Sequence, residues 1–406
     1  MRNIWACVSV ALYLAKRGGV LSSGALWSSG FRPLYLLAAL YGALLMVIAL
    51  MVFSGGLLLP SSLPFFLWHG HELLFGFAVA IASGFILTAL PSWAGSEEIK
   101  GGRLKWIVLL WLAGRLLFWF SPSMGVTAVV DSLYFVVLIG LIAPGLARVG
   151  DKRYLLLIPI LLLFLCTNIW FYVGVLDGRA DIAQQALRGS VYTLMILFSF
   201  VAGLLTPIFT HTHLQSDSWP ESEIFIPAIE ILAVISVVLF GFTGLFYAGT
   251  TISAGAALFA FLVHSVRMMR WRGWSIRGDS LLKVMHIAYI GFLLTFVARG
   301  AGDLSGKPDA DLAIHLFTLG AFGLMKMSLM TRIAFKHTGR EINPPRLIEI
   351  GFWMMAIAAL MRLLAGLYLY KEILLLASGL LWSLCWLFYL FSFWKILIGP
   401  NLPRSN

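Results

Sequence analysis

Apolar residues run along this chain in stretches of about 20, separated by short clusters of charge, proline and glycine. An α-helix rises 1.5 Å per residue, so about 20 apolar residues cross the roughly 30 Å hydrocarbon core of a bilayer. Runs of this length read as membrane-spanning helices, because a helix satisfies its own backbone where no water can. A membrane barrel would show shorter, alternating segments instead. Twelve spans are predicted: Phe31–Phe53, Pro64–Leu90, Leu104–Phe120, Val126–Ala147, Tyr154–Leu176, Leu187–Thr210, Ile224–Tyr247, Thr251–Met269, Leu281–Ala298, Ala310–Ala334, Leu347–Tyr370 and Ile373–Ile398. The linkers are short, which predicts one transmembrane helical domain over 31–398 and a brief tail over 399–406. Within residues 1–30, the apolar run 4–15 is too short to span and is followed by Lys16 and Arg17. A signal peptide carries its charge in front, so this segment reads as an interfacial helix.

The expected fold class is therefore all-α, a polytopic membrane helix bundle. Composition agrees: of 406 residues, 60% are hydrophobic and 12% charged, with a mean hydropathy of +0.93. The net charge of +11 could suggest nucleic acid. Its Lys and Arg residues fall in alternate loops, however, which is the signature of membrane topology. One set of loops holds Lys100, Arg103, Lys105, Arg148, Lys152, Arg153, Arg267, Arg270, Arg272, Arg277 and Lys283, then Arg332, Lys336, Arg340 and Arg346. The other set holds only Arg179, Arg188, Arg299, Lys307 and Lys371. Both termini are expected in the cytoplasm. The sixth-to-seventh loop, with Asp217, Glu221 and Glu223, lacks basic residues. Cys7, Cys166 and Cys385 are too scattered for a metal motif or a disulfide framework and read as quiet buried thiols.

Histidine is where chemistry enters. Trp68-His69-Gly70-His71-Glu72 opens the second span, and ionisable groups there cost roughly 2.5–3.5 kcal/mol each on insertion scales. Imidazole is also a common ligand of haem iron and copper. The topology sorts His69, His71 and His315 to the outer end and His211, His213, His264, His286 and His337 to the inner end. On an α-helix, residues two apart point about 200° apart, so His69 and His71 cannot readily grip one metal. A cross-helix site with His315 fits better. The His69 face carries Glu72, Gly76, Ala80, Ser83 and Gly84, small enough to let a porphyrin approach; the His71 face carries Leu74, Phe75, Ala78, Ala82 and Phe85. Glu72 could orient an imidazole through its second nitrogen. A belt position beside Trp68 is the alternative for the His69 and His71 pair, a hydrogen-bonded packing role for His315, a helix cap for His211 and His213, and a solvated helix end for His264.

Arg115, Asp131, Asn168, Glu230, Lys326 and Arg362 are the other polar residues within spans. Lys326 follows His315 by eleven residues, about 16 Å deeper on the same face. It is read as snorkelling inward, or as pairing with a carboxylate or haem propionate. Arg115 and Arg332 are propionate candidates because guanidinium pairs bidentately with carboxylate.

Several motifs together resemble the NnrS family of bacterial inner-membrane proteins. They are Phe31-Arg32-Pro33, the run Trp68 to Gly76, Gly84 to Ala89, Pro91-Ser92-Trp93-Ala94-Gly95 and Trp111-Leu112-Ala113-Gly114-Arg115. His286 with Ala288-Tyr289, His315 with Thr318 to Ala321, Met330-Thr331-Arg332 and His337-Thr338-Gly339-Arg340 complete the set. The resemblance implies a twelve-helix protein of nitric oxide metabolism or nitrosative-stress resistance, carrying haem, b-type, and copper. It puts metal-ligand weight on His69, His71, His286, His315 and His337. The family pattern has an arginine in helix six before its proline; here Ala202-Gly203-Leu204-Leu205-Thr206-Pro207 lacks it, and Lys326 stands where an apolar or small residue is expected.

The leading expectation is a multi-pass protein of the bacterial inner membrane that binds nitric oxide or transfers electrons. His71 and His315 would hold haem, His69 would serve copper or a second haem position, and His286 and His337 would form or support an inner site. Whether His69 or His71 faces the iron is open at this point. Besides the bilayer, the expected partners are nitric oxide or a related small molecule and an electron donor, a quinol or redox protein. A secondary transporter using Asp131, Glu230 and Lys326 as relay groups is the competing reading.

Overall fold

The computed structural model describes residues 24–59, 63–215, 223–306, 310–366 and 370–403. The interfacial helix expected over 4–15, with Lys16 and Arg17, lies outside the described residues, as do Asp217, Glu221 and Lys307. Among the described residues there are twelve helices and no strand. We number them α1 Phe31–Phe53, α2 Phe65–Ala94, α3 Gly101–Phe120, α4 Met124–Leu146, α5 Leu157–Leu176 and α6 Ala180–Leu214. They continue as α7 Pro227–Phe246, α8 Thr251–Met269, α9 Ser280–Leu304, α10, α11 Arg346–Gly366 and α12 Lys371–Ile398, where α10 runs through Ala310–His315, Leu316–Gly323 and Leu324–Lys336. Eleven are long and apolar enough to cross a membrane; α3 is the other, and it carries Arg103, Lys105 and Arg115 in 20 residues.

The helices sort by burial. In α2 and α6, 89% of the apolar window is buried inside the protein, and in α10 72%, against 33% in α1, α4, α8 and α11. Three helices therefore form the interior, and the others present apolar residues such as Leu116, Val129, Ile231 and Leu258 outward, as a lipid-facing surface requires. Cys166 is exposed on this outer surface, contrary to the expectation of a buried thiol, whereas Cys385 is buried.

The first and last helices close on each other. A helix leaves its last four carbonyls without partners, and a guanidinium can satisfy several at once. Arg32 does this for α12, donating to Leu397 O at 2.8 Å, Gly399 O at 2.7 Å and Ile396 O at 3.2 Å. The start of α1 is capped in turn by Thr88 Oγ1, which accepts from Phe31 N at 2.9 Å. In the interior, α9 and α10 approach backbone to backbone: a methyl on Gly291 would lie 2.7 Å from Gly320 O.

The α6 helix starts seven residues before the predicted Leu187. Its first two turns carry Asp181, Gln184 and Gln185, too polar for an apolar-run criterion, although Asp177-Gly178 ahead and an acidic residue in the first turn are helix-start signals. The extension places Arg188, the second residue of the predicted span and counted with the outward loops, well inside the helix.

Candidate functional site

At the end of the bundle where α1 stops and α2 begins, a cavity of about 330 Å³ opens between α1, α2, α6, α10, α11 and α12. Both His69 and His315 line it. The His69 ring stacks on Phe65, centroids 5.6 Å apart, and its Nδ1 is buried without a hydrogen-bond partner. Across the cavity, the guanidinium of Arg362 lies 3.4 Å from both ring nitrogens of His315. Arg188 and Gln184 contribute from α6, while Phe77, Phe322 and Trp382 form an aromatic wall. Among the described residues, no carboxylate belongs to the lining.

The backbone explains which side chains face this space. Directly after His71 in α2 and after His315 in α10 the helix widens to i→i+5 bonding, over Glu72–Ala78 and Leu316–Gly323. A π turn rotates every later side chain relative to a 3.6-residue helix. The predicted small-residue stripe therefore does not line the cavity. Leu73, Leu74, Phe77 and Ala78 do. Gly76 faces Tyr41 and Arg115 instead.

His71 points away from the cavity into a closed polar network. Its Nδ1 lies 3.0 Å from Glu72 Oε1, and its Nε2 lies 3.3 Å from both Asn168 Oδ1 and Asp131 Oδ2. Arg115 pairs with Glu72 and with Asp131, and Tyr41 donates to Glu72. Tyr172 donates to Asp131 Oδ2 at 3.1 Å, and Trp119 Nε1 to the Tyr41 oxygen at 2.8 Å. The imidazole itself lies parallel to Phe118 at 4.1 Å and is flanked by Phe75, Phe171 and Tyr172. Both nitrogens and the ring faces are occupied by protein. The network joins α1 to α5 and satisfies charges that would otherwise be buried alone.

The opposite end holds a second cluster. His264, expected at a solvated helix end, is fully buried instead; its Nδ1 shares a 2.6 Å hydrogen bond with the Tyr289 hydroxyl. Arg267 pairs with Glu230 and donates to Ser199 O at 2.9 Å. Its guanidinium fills the space over Gly203, so an arginine from α8 stands beside the α6 segment that lacks one of its own. His286 Nε2 is 3.0 Å from Thr210 Oγ1, and its Nδ1 is buried without a partner. The His337 ring lies 5.9 Å from Phe31, and His213, in the last turn of α6, bonds Arg277 O at 2.9 Å.

Of the expected ligands, the structure brings together His69 and His315; the expected pairing of His71 with His315 is not the one the cavity contains. His286 and His337 sit among different neighbours. Among the described residues, no group of three or more His, Cys, Asp or Glu is placed to hold a metal, so no step through copper follows from the donors present. The two propionate candidates are committed elsewhere, Arg115 in the His71 network and Arg332 to Asp279 at 2.8 Å. Lys326 is 2% exposed and does not snorkel; its ammonium lies between the rings of Phe322, at 5.4 Å, and Phe85, at 5.6 Å. The proposed relay carboxylates Asp131 and Glu230 are each held by an arginine. Among the described residues, Arg188 and Arg362 are the Lys or Arg side chains that line the cavity.

Fold and site together define a polytopic helical membrane protein with two histidines, from different helices, facing one apolar cavity. Comparison with known proteins places it further. The family model described as NnrS protein matches residues 25–401, nearly the whole chain, and the chain belongs to the NnrS family. Members of this family are membrane proteins related to nitric oxide and associated with haem or metal. No curated protein matches the chain.

Proposed function

We propose that the protein is a haem protein of the bacterial inner membrane that handles nitric oxide, and that His69 and His315 hold the haem. One observation carries this reading: two imidazoles from separate helices line a single cavity, and His69 Nδ1 is buried there with nothing to bond. A buried polar atom without a partner costs roughly 1–3 kcal/mol, and a metal removes that cost. The walls are apolar and aromatic, as a porphyrin face requires. Haem held there by His69 and His315 would supply a site for nitric oxide or for electron transfer.

The chain's own residues do the rest. Phe65 stacks on His69 and fixes its ring plane, and the π turns that begin after His71 and after His315 set which later side chains face the cavity. The His71 network ties α2 to α3, α4 and α5, which fixes the helix that carries His69. Purified protein is expected to show a Soret band that shifts with nitric oxide. His69→Ala and His315→Ala should each remove or alter that band. A folded, colourless preparation from haem-replete cells would overturn the reading.

A further inference from the structure

We propose that Tyr41 is a redox-active tyrosine that supplies an electron to the cavity through Trp119 and Trp68, with Glu72 as its proton acceptor; the proposal rests on the haem reading above. The first support is continuity. The His69 ring stacks on Phe65 at 5.6 Å, and Phe65 lies 6.1 Å from Trp68. Trp68, the residue before His69 in the chain, meets Trp119 edge to face at 5.1 Å. Trp119 Nε1 then donates to the Tyr41 oxygen at 2.8 Å. Rings from α1, α2 and α3 thus form one unbroken path from the cavity wall to a phenol. Tyrosine and tryptophan are also the side chains that give up a single electron most readily.

The second support is the place prepared for the proton. The Tyr41 hydroxyl donates to Glu72 Oε2, a carboxylate buried in the interior. A base already in hydrogen-bond contact takes a proton without movement of the helices. A phenol that lost only its electron would leave a cation in a low-dielectric interior, where unpaired charge is costly. Passing the proton to Glu72 places that positive charge on a carboxylate. Arg115, which pairs with Glu72, also pairs with Asp131 and so keeps an anionic partner.

The oxidant is, by class, a haem in this cavity that a peroxide has raised one electron above its ferric state. One electron leaves the Tyr41 ring and returns that haem to the ferric state. The phenolic O–H bond breaks and its proton stays on Glu72 Oε2. A neutral tyrosyl radical remains, its oxygen still accepting from Trp119. Tyr289 provides the contrast. It too has a base, His264 Nδ1 at 2.6 Å, but it belongs to the cluster at the opposite end of the bundle. Tyr41 adds to its base a tryptophan that leads to His69.

The test reads radicals rather than turnover. Detergent-purified protein carrying haem is mixed with hydrogen peroxide, rapidly frozen and examined by electron paramagnetic resonance. Native protein should give a tyrosyl signal that narrows when the tyrosine is ring-deuterated. Tyr41→Phe should lose this signal and Tyr289→Phe should keep it. Trp119→Phe leaves Tyr41 and Glu72 in place but removes the relay. It should form the signal more slowly, and it covers the case in which Tyr41→Phe does not fold. An unchanged signal in either variant, or no tyrosyl signal from native protein with a normal Soret band, would overturn the relay and leave the haem reading standing. Protein that takes up no haem would overturn both.

Discussion

His69 and His71 lie two residues apart on one helix and have opposite surroundings. The His71 ring is stacked 4.1 Å from Phe118 with side-chain oxygens at both nitrogens, whereas His69 Nδ1 meets no polar atom and its ring borders the cavity. The same residue type serves the frame in one position and the site in the other.

The division predicts unlike outcomes for two neighbouring substitutions. His71→Phe should lower the thermal midpoint of the detergent-solubilised protein, since Asp131, Glu72 and Asn168 each lose a partner, at a cost of roughly 1–3 kcal/mol. The Soret band of the folded fraction should persist. Loss of the band at an unchanged melting temperature would assign His71 to the cofactor instead.

Arg115→Leu should be worse. It leaves Glu72 and Asp131 buried and close together without their cation, and breaking a buried pair this way costs about 3–5 kcal/mol. Adding Glu72→Gln and Asp131→Asn should recover much of the loss, because the penalty comes from stranded charge. Thermal midpoints of the single and combined variants, read as a cycle, check this. A combined variant less stable than Arg115→Leu alone would refute it.

Gly203 and Gly255 make a matched pair. A methyl on Gly203 would collide with the Arg267 guanidinium, which Ser199 O and Glu230 hold in place, whereas a methyl on exposed Gly255 meets nothing within 4 Å. Gly203→Ala should therefore destabilise by about 1–3 kcal/mol, as overpacking does. Gly255→Ala should stabilise by roughly 0.5–1 kcal/mol, from helix propensity. Equal melting temperatures for the two would show that Arg267 is not fixed against α6.

Helix number and approximate bounds were legible because hydropathy over 20 residues is a strong signal. The chemistry was less so. The prediction that Gly76 and Ala80 share a face with His69 assumed 3.6 residues per turn through Glu72–Ala78, where the helix is π. Nothing in Glu72-Leu73-Leu74-Phe75-Gly76-Phe77-Ala78 announces that change, since it is set by tertiary packing. Arg188 counts with the outward loops, at the very start of the predicted span, because the polar first turns of α6 lie outside any apolar window. His264 looked solvated because its neighbour Arg267 is charged, and that charge is cancelled by Glu230 from a distant stretch of sequence. Pairings between helices are what one chain read in one dimension does not display.

Lys326 offers the last prediction. Its ammonium is buried in the interior of α10 with aromatic rings for company, and among the described residues no carboxylate forms an ion pair with it. Two ring contacts offset part of the desolvation cost, at about 2 kcal/mol in a dry site. Insertion of such a charge costs roughly 2.5–3.5 kcal/mol, so the residue is expected to be a net burden on stability. Lys326→Met keeps the length and removes the charge. It should leave the thermal midpoint unchanged or raise it, by about 1 kcal/mol or more, as replacement of buried ions by apolar groups does. Because Phe322 separates Lys326 from the cavity, the Soret band and the release of haem should stay as in the native protein. A variant that folds normally yet sheds haem faster would give Lys326 a place at the ligand, and a clear fall in the midpoint would show that the ammonium has an anionic partner in the folded protein.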